Sequence, residues 1–448
     1  MQTLRTYQSD AIEQLRTAMA RHKRTILCVP TGGGKTTIVA EMIRRAIGRG
    51  KSILFLAHRA ELLQQAVERL QGFGLSPGVV QGKNVSNNPQ LNVASVQTLR
   101  NRPNGILPPD IIFIDECHLS MANSYLMILE RYPNAYVIGM TATPTRLDGK
   151  PLGDIYTKIV NPISIIDLTD NGYLVPVKAY GVRDSPETDD IKSARGDFDN
   201  TELYKRYDKP QLYAGVVNNY IRFANNKPFI CFCVNVMHSI KTAEEFRKHG
   251  IAVEHVDGTT SETMRNHNIA MFRAGLIQGI CNVGLFTEGF DVPHVECVIL
   301  NRATQSLALY LQMVGRGLRP YKNKQHCIVI DHGKNIPRHQ WHDIDREWSL
   351  DPIKKKKSDK IGAMSVKLCD LCEFMMPVNT AICPECGYEH ARKEKIAVEA
   401  EFAELQRPIT PPHLRKKWGD MNESELREYA NFKGYKEGWV RVQLKLRK

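Results

Sequence analysis

Short apolar runs alternate with segments of helical periodicity over most of the chain. Several runs are continuous Ile, Val, Leu and Phe, which is typical of strands buried on both faces of a parallel sheet. The runs that predict strands are 25–29, 52–57, 92–95, 111–114, 135–140, 229–233, 251–256, 278–283, 295–300 and 326–331. The segments that predict helices between them include 36–47, 60–71, 239–248 and 306–314. This alternation predicts an α/β fold of doubly wound parallel sheets.

The predicted strands form two series, separated by a polar and charged stretch of weak periodicity. After residue 331 the alternation stops, and a lysine-rich run indicates a solvated linker. We therefore expect two α/β domains followed by smaller regions. The predicted regions are a first domain (1–175), a second domain with an inserted segment at about 181–210 (176–345), a basic linker (346–364), a four-cysteine module (365–390) and a basic tail (391–448).

The chain is basic overall. Its 448 residues carry 61 Lys and Arg against 48 Asp and Glu, a formal net charge of +13. This balance indicates a polyanionic partner such as nucleic acid, and a basic enzyme without such a partner is the alternative. No apolar run approaches the roughly 20 residues of a membrane span, and the first residues lack a signal-peptide core. We expect no membrane partner and a cytoplasmic location, in a bacterium or a phage-infected host.

A glycine-rich loop joins the first predicted strand to a predicted helix. Glycines let backbone N–H groups surround phosphate oxygens, and the helix N-terminus adds its positive end. Lys35 can reach the β- and γ-phosphates, and the Thr36 hydroxyl can hold Mg²⁺. A strict P-loop has glycine where this chain has Val29, so a glycine-rich turn without a ligand is the alternative. The loop consists of Pro30, Thr31, Gly32, Gly33, Gly34, Lys35, Thr36 and Thr37.

Two adjacent acids, Asp115 and Glu116, follow the predicted strand 111–114. A carboxylate at a strand end is where a P-loop NTPase holds its metal. Asp115 would hold Mg²⁺, and Glu116 would orient or deprotonate the attacking water. Alone, such a pair is often only a solvated turn, but its position after a glycine-rich phosphate loop favours the catalytic interpretation.

Two arginines, Arg316 and Arg319, close the second series of strands and helices. Three positions apart on one helix face, both can point at one anionic target. A guanidinium offsets the charge that develops on a transferred phosphoryl group. A solvated basic helix end is the alternative.

The eleven cysteines form two populations. Seven lie scattered in apolar or motif-like stretches and are typical of small buried thiols in a reducing compartment. The other four form two Cys-x-x-Cys pairs, a spacing that predicts a structural Zn²⁺ site closed by four thiolates; a redox pair or an iron–sulfur cluster is the alternative. The predicted zinc ligands are Cys369, Cys372, Cys383 and Cys386.

Aromatic and basic residues are interleaved in the tail, where Lys416 and Lys436 are candidate nucleic-acid contacts. Cations neutralise phosphates, and aromatic rings can stack on bases. Aromatic residues at this spacing can equally form a small core, and both interpretations can hold together.

The motifs, in their order, resemble those of superfamily 2 helicases and translocases. The resemblance extends from residue 4 to about residue 331, and the acidic motif is DECH rather than DEAD or DEAH. Within the superfamily, the chain is most similar to the RadD-like DECH-box group and to compact phage branch-migration helicases. The matching segments are 5–8, 30–36, 56–62, 95–99, 115–118, 141–144, 229–234, 286–293 and 312–319.

The resemblance implies roles for further residues. Arg5 and Gln8 would read the adenine of ATP, and Gly289 and Asp291 would complete the nucleotide site. Residues that would couple the nucleotide to the bound strand are His118, Thr141, Thr143 and Gln312. Residues that would touch the nucleic-acid backbone are Arg59, Gln97 and Thr98.

The resemblance further implies two RecA-like lobes with ATP and Mg²⁺ in the cleft between them. We expect a monomeric ATP-dependent DNA helicase or translocase that remodels forked or branched DNA in repair, recombination or replication. Its expected partners are single-stranded, forked or branched DNA, and a single-strand-binding protein or recombination factors. An RNA helicase, or an ATPase that remodels or anneals without net unwinding, is the alternative.

Overall fold

The computed structural model describes two units, residues Met1–Leu405 and Gln406–Lys448, each treated separately below. The residues that it describes are 4–86, 88–102, 106–146, 151–182, 185–194, 196–286, 292–351, 366–368, 375–377, 381–382, 387–389, 402–405, 411–416, 418–433, 435 and 437–445.

The first lobe is built on an eight-stranded sheet. Its spatial order is β4-β3-β5-β2-β6-β7-β1-β8, and only the β3–β4 pair is antiparallel. The strands are β1 (Arg24–Cys28), β2 (Ile53–Ala57), β3 (Gly78–Gln81), β4 (Asn84–Ser86), β5 (Leu91–Ser95), β6 (Ile111–Ile114), β7 (Tyr136–Thr141) and β8 (Lys158–Val160). The helices are α1 (Thr6–Met19), α2 (Lys35–Ile47), α3 (Ala60–Gly72), α4 (Val96–Asn101), α5 (Asn123–Arg131) and α6 (Ile165–Asp170).

Both faces of this sheet are buried, which explains its continuous apolar runs. Leu27 and Phe55 face one core, which includes side chains of α1, α2 and α3. Their neighbours Ile26 and Leu54 face the other core, which includes side chains of α5. Consecutive residues of one strand therefore belong to opposite layers, as the period of two requires.

The second lobe repeats this architecture with a seven-stranded sheet in the order β13-β14-β12-β15-β16-β9-β19, in which only the β9–β19 pair is antiparallel. Its strands, with a small separate pair, are β9 (Val177–Val182), β10 (Ser193–Ala194), β11 (Asp197–Phe198), β12 (Phe229–Cys233), β13 (Val253–Val256), β14 (Gly279–Asn282), β15 (Cys297–Asn301), β16 (Cys327–Asp331) and β19 (Phe402–Leu405). The helices are α7 (Asn200–Tyr207), α8 (Pro210–Ala224), α9 (Val236–Lys248), α10 (Glu262–Arg273), α11 (Leu307–Gly315) and α12 (Asn335–His339).

Side-chain caps begin several helices of the second lobe, among them α9, α10 and α11. Asn235, Ser261 and Ser306 accept hydrogen bonds from the third residue of α9, α10 and α11, at 2.8, 3.3 and 3.1 Å. Each cap satisfies an N–H group that has no partner inside the helix. The helices therefore start immediately after the loops that leave the carboxyl ends of the strands.

The ten strands that the sequence predicts are present in the two α/β lobes, as β1, β2, β5–β7 and β12–β16. The strands β3, β4, β8–β11 and β19 were not predicted. Leu350 was assigned to a solvated linker, yet its carbonyl accepts from Gly153 N at 3.0 Å and its side chain packs on the first lobe. Phe402–Leu405 was assigned to the basic tail, yet it forms β19 against β9.

The inserted segment after β9 is ordered against the second lobe. It contains the antiparallel β10–β11 pair and α7. Its apolar side chains Phe198, Leu203 and Tyr207 pack with Val234 and Ala303, which follow β12 and β15. The segment therefore covers the carboxyl ends of two central strands.

The second unit, Gln406–Lys448, has a core of its own. It contains α13 (Glu423–Lys433) and α14 (Glu437–Lys445), with buried side chains of Leu414, Met421, Leu426, Tyr429, Ala430 and Val440. The rings of Trp418 and Trp439 meet edge to face at 5.3 Å, and Tyr429 stacks on Trp439 at 5.9 Å. The tail aromatics thus form a small core, as one of the two sequence interpretations predicts.

The seven scattered cysteines are all buried and free, as predicted for structural thiols. In the described parts of the chain, no helix combines the length and the apolar character that crossing a bilayer demands.

Candidate active site

The glycine-rich loop connects β1 to α2 and contacts side chains of α1. Gly34 has φ +76°, and a Cβ added there would lie 2.5 Å from Gln8 Nε2. The Tyr7 hydroxyl donates to the Gly33 carbonyl at 2.9 Å. The loop therefore requires glycine, and it opens directly into the N-terminus of α2, where backbone N–H groups favour a phosphate.

Lys35 and Glu116 face each other across this loop. Lys35 is the first residue of α2, and its Nζ lies 3.5 Å from Glu116 Oε1. Glu116 follows β6 with φ 47° and ψ 55°, a left-handed conformation that is uncommon for a residue other than glycine. Such strain is characteristic of functional sites, and here it accompanies a buried carboxylate that faces the lysine.

The electrostatic surroundings keep Glu116 ionised. Burial alone would raise the pKa of this carboxyl, but the charge of Lys35, a hydrogen bond from His118 and the charge of Arg316 hold it well below its usual range. An ionised carboxylate can accept a proton or orient water, which is the role that the sequence predicts for Glu116.

A short polar relay joins Glu116 to the end of β7. His118 Nδ1 lies 3.4 Å from Glu116 Oε2 and 3.3 Å from the Thr141 hydroxyl. Thr141 in turn accepts from the backbone N–H of Thr143 at 3.1 Å. The predicted coupling residues His118, Thr141 and Thr143 are therefore in one connected network with Glu116.

The second lobe contributes its two arginines to the same place. A Cβ on Gly315 would lie 2.6 Å from Thr31 Cβ, and one on Gly32 would lie 3.7 Å from Arg319 Cγ. Arg316 is buried and close enough to Glu116 for its charge to lower the pKa of that carboxyl. The arginine segment, residues 316–319, therefore faces the phosphate loop across the interface of the lobes.

One detail of the arginine prediction was wrong. The two arginines do not share a helix face, because α11 ends at Gly315. Tight i to i+3 hydrogen bonds follow, from Arg316 N to Met313 O and from Gly317 N to Val314 O. Gln312 is buried within α11, one turn before Arg316.

The residues that are predicted to read the base, the base-reading segment, lie at the start of α1, where Arg5 is the N-cap and Gln8 is the third residue of the helix. The Gln8 side chain accepts from Arg5 N at 3.0 Å, and its amide nitrogen lies 3.5 Å from the Tyr7 hydroxyl. Arg5 places its guanidinium 4.3 Å from the centre of the Tyr173 ring. Gln8 therefore lies beside Gly34 of the glycine-rich loop, and Arg5 packs on Tyr173.

The donor set also fits Mg²⁺. Thr36 lies in the first turn of α2, which opens from the glycine-rich loop, and Asp115 follows β6, where its Oδ1 accepts from Glu116 N at 3.0 Å. Hard oxygen ligands of this kind, together with phosphate oxygens, are those that Mg²⁺ prefers. When bound there, Mg²⁺ would neutralise charge on the phosphates.

Family comparisons agree with this geometry. Residues 1–146 match the family described as "Type III restriction enzyme, res subunit", and residues 213–320 match "Helicase conserved C-terminal domain". The chain belongs to the superfamily 2 helicases. It is a nucleic-acid-dependent ATPase of this superfamily, and the two matched regions correspond to its two lobes.

Two individual relatives match most of the length of this chain. A "51.5 kDa protein" of a Lactococcus phage is 30% identical over 84% of this chain and 81% of its own length. The "Putative ATP-dependent helicase IRC3" of Saccharomyces cerevisiae is 32% identical over 73% of this chain and 51% of its own length. This chain thus spans about half of the yeast protein.

A solved structure of a putative HsdR subunit of a type I restriction enzyme from Vibrio vulnificus YJ016 has a similar fold. Its TM-score is 0.61 at 23% identity, over 77% of this chain and 67% of that chain. The likeness shows that the two chains share the two-lobed fold.

The predicted nucleic-acid residues of the first lobe lie apart from the nucleotide site. Arg59 precedes α3 at the end of β2, and Gln97 and Thr98 begin α4 at the end of β5. Gln97 donates to His58 O at 3.1 Å, and Thr98 accepts from Gly82 N at 2.9 Å. These adjacent strand ends form one edge of the superfamily 2 lobe.

Several predicted residues lie outside the described part of the chain: Gly289, Asp291, Lys436, Cys369, Cys372, Cys383 and Cys386. Lys416 lies in the second unit, where its Nζ is 2.5 Å from Glu425 Oε1.

Sequence reasoning missed the contribution of the connector between the lobes. Tyr173 and Leu174 touch the base-reading segment and the phosphate loop. They lie in the short connection between α6 and β9, and no motif marked them as part of the site.

Proposed function

We propose that this superfamily 2 chain is an ATP-dependent DNA helicase or translocase that moves on and remodels forked or branched DNA. One observation carries the proposal: the phosphate loop of the first lobe and the arginine segment of the second lobe meet at one interface. A triphosphate there would be contacted from both sides. ATP binding would then favour closure of the lobes, and hydrolysis would release it.

The proposed roles follow from the positions of the side chains. Lys35 binds the β- and γ-phosphates, Thr36 and Asp115 hold Mg²⁺, and Glu116 orients the attacking water. Arg316 and Arg319 stabilise the negative charge that develops during phosphoryl transfer. Each group lies at the lobe interface or in a loop that borders it.

The proposal that the chain moves on DNA rests on its net charge and on its set of motifs. The net charge of +13 favours a polyanion, and the DECH form with its accompanying motifs is most similar to the RadD-like group. Arg59, Gln97 and Thr98 lie at adjacent strand ends of the first lobe, where backbone and side-chain donors can contact phosphates. Movement of the second lobe against this edge would shift the strand.

A zinc module is proposed for the four cysteines. Two antiparallel pairings bracket the two Cys-x-x-Cys pairs: β17 (Val366–Leu368) with β18 (Met375–Pro377), and a bridge between Ile382 and Glu389. A backbone pairing on either side of each Cys-x-x-Cys pair is compatible with two metal-binding knuckles. Gly387 has φ +73°, which is typical of a tight turn. We expect one zinc per chain by elemental analysis; iron, or no metal, would contradict the assignment.

The second unit is proposed to add affinity for branched DNA. Its aromatic rings are used in its own core, so its contribution would come from basic side chains such as Arg415, Lys416 and Arg441 on the outside. Contacts of this kind are electrostatic and weaken as salt increases.

The test is a strand-displacement assay with fork, Holliday-junction and RNA-duplex substrates, and Lys35→Ala as the matched inactive control. The proposal predicts ATP-dependent remodelling of the DNA fork or junction and none with the control. Unwinding of RNA alone would indicate an RNA helicase. ATP turnover with annealing or remodelling but no strand displacement would indicate an ATPase that acts without net unwinding.

A further inference from the structure

Tyr173 lies in the connector that leaves the first lobe after α6, and it contacts the base-reading segment. The Arg5 guanidinium carbon is 4.3 Å from the centre of its ring, and the Tyr7 ring is 5.3 Å away at a tilt of 46°. Tyr7 itself donates to Gly33 O of the phosphate loop. Tyr173 therefore contacts both Arg5, which is predicted to read the base, and Tyr7, which supports the loop.

The next two residues contact two other parts of the nucleotide machinery. A Cβ added to Gly32 would lie 2.8 Å from Leu174 Cδ2, so Leu174 packs directly on the phosphate loop. Val175 N donates to Leu318 O at 2.8 Å, next to Arg319 of the second lobe. Three consecutive residues thus touch the base-reading segment, the phosphate loop and the arginine segment.

This tripeptide is itself held in place. The N–H groups of Tyr173 and Leu174 both donate to Leu168 O, at 2.8 and 3.0 Å, at the end of α6. Leu174 and Val175 are buried in the core of the second lobe. The tripeptide is therefore anchored to α6 at one end and to the second lobe at the other.

We propose that Tyr173 is a positioning residue for recognition of the purine base of ATP, acting through Arg5, and that Tyr173, Leu174 and Val175 link base recognition to lobe closure. The proposal rests on the base-reading role of Arg5 and Gln8. Arginine has many rotamers, and a cation over an aromatic face is attracted to the ring. The Tyr173 ring therefore holds the Arg5 guanidinium in one orientation before ATP arrives.

The experiment is a double-mutant cycle on steady-state ATPase activity of the full chain, with DNA saturating. Tyr173→Leu should raise KM for ATP about three- to tenfold, the range of a cation–π contact, and leave kcat within about twofold. The preference for ATP over UTP, as a ratio of kcat/KM, should fall by a similar factor. Arg5→Ala should do the same, and the double variant should be no worse than Arg5→Ala alone.

Matched variants separate positioning from general loss of structure. Tyr173→Phe keeps the aromatic face and should restore KM to within about twofold of the wild-type value. Tyr136→Leu, an exposed tyrosine at the start of β7, should change neither KM nor base preference. If Tyr173→Leu does not fold, Tyr173→Met removes the aromatic face at similar volume and replaces it in the cycle.

Three results would overturn the proposal: an unchanged KM, effects of Tyr173→Leu and Arg5→Ala that add, or a fall in kcat and thermal stability without a change in base preference. Gln8→Ala distinguishes a failure of the role of Tyr173 from a failure of the base-reading assignment. If Gln8→Ala lowers the ATP preference and Tyr173→Leu does not, the role of Tyr173 is wrong while the base site stands. If neither does, the base-reading assignment is wrong too.

Discussion

The two lobes have the same strand order but use their strand ends differently. In the first lobe the central order is β3-β5-β2-β6-β7-β1, and in the second it is β13-β14-β12-β15-β16-β9. By position and chain order, β6 corresponds to β15 and β1 to β9. The same topology therefore offers the same edge to bind a ligand in both lobes.

The residues at the corresponding ends are not alike. β1 and β6 end in the glycine-rich loop and in Asp115 and Glu116, which form the nucleotide site. β15 is followed by Arg302, which pairs at 3.1 Å with Asp197 of the inserted segment. The Asp197 carboxylate also accepts from the Thr304 hydroxyl at 2.8 Å and from Gln305 N at 2.7 Å.

At the end of β15 the second lobe therefore binds its own inserted segment, whereas the ends of β1 and β6 in the first lobe form the proposed nucleotide site. The α/β topology provides the edge, and a few side chains decide what occupies it. Among the described residues of the second lobe, Gly315 and Arg319, at the end of α11 and just after it, approach Thr31 and Gly32 of the phosphate loop. The predictions below test this division.

The largest effect is expected at Glu116. Glu116→Gln keeps the shape and removes the base, so DNA-stimulated kcat should fall by about 10²–10⁴-fold while ATP still binds. Phosphate release and nucleotide binding measured in parallel check this. Undiminished turnover would remove Glu116 from its role, and Glu13→Gln, an exposed acid on α1, serves as the control.

A slightly smaller effect is expected from the second lobe. Arg319→Ala should lower kcat by about 10²–10³-fold and leave the ATP dissociation constant within about threefold, since the guanidinium acts mainly on developing charge. Stopped-flow turnover and equilibrium binding separate the two quantities. A loss confined to ATP affinity would show that the second lobe only helps to hold the ground state.

The fastening role of Asp197 predicts a change in stability. Asp197→Ala leaves the buried Arg302 guanidinium without its carboxylate and should lower the free energy of unfolding by about 2–4 kcal/mol. Asp189→Ala, an exposed acid in the same segment, should change it by less than about 0.5 kcal/mol. Urea unfolding measures both, and equal effects would contradict the fastening role.

The smallest effect is expected from the second unit. Truncation after Leu405 keeps β19 in its sheet and should weaken binding to forked DNA by about three- to tenfold at low salt. The slope of log affinity against log salt should become shallower by about one to two. Unchanged affinity and slope would place all of the DNA affinity in the rest of the chain.

Much of this architecture could be predicted from local pattern. The continuous apolar runs predicted both sheets, and the spacing of glycines, acids and arginines predicted the members of the nucleotide site. Tyr173, Leu174 and Leu350 could not be found in this way, because each acts through a contact with a distant part of the chain and belongs to no periodic stretch. The predicted shared helix face of Arg316 and Arg319 was wrong because α11 ends at Gly315, before both residues.

The central claim is that ATP is contacted by both lobes at once. A structure of the chain with ADP, Mg²⁺ and aluminium fluoride tests it most directly, because the fluoride imitates the transferred phosphoryl group. The account predicts that Lys35 Nζ and at least one guanidinium of Arg316 or Arg319 lie within hydrogen-bond distance of the fluoride. A fluoride contacted only by residues of the first lobe would contradict it.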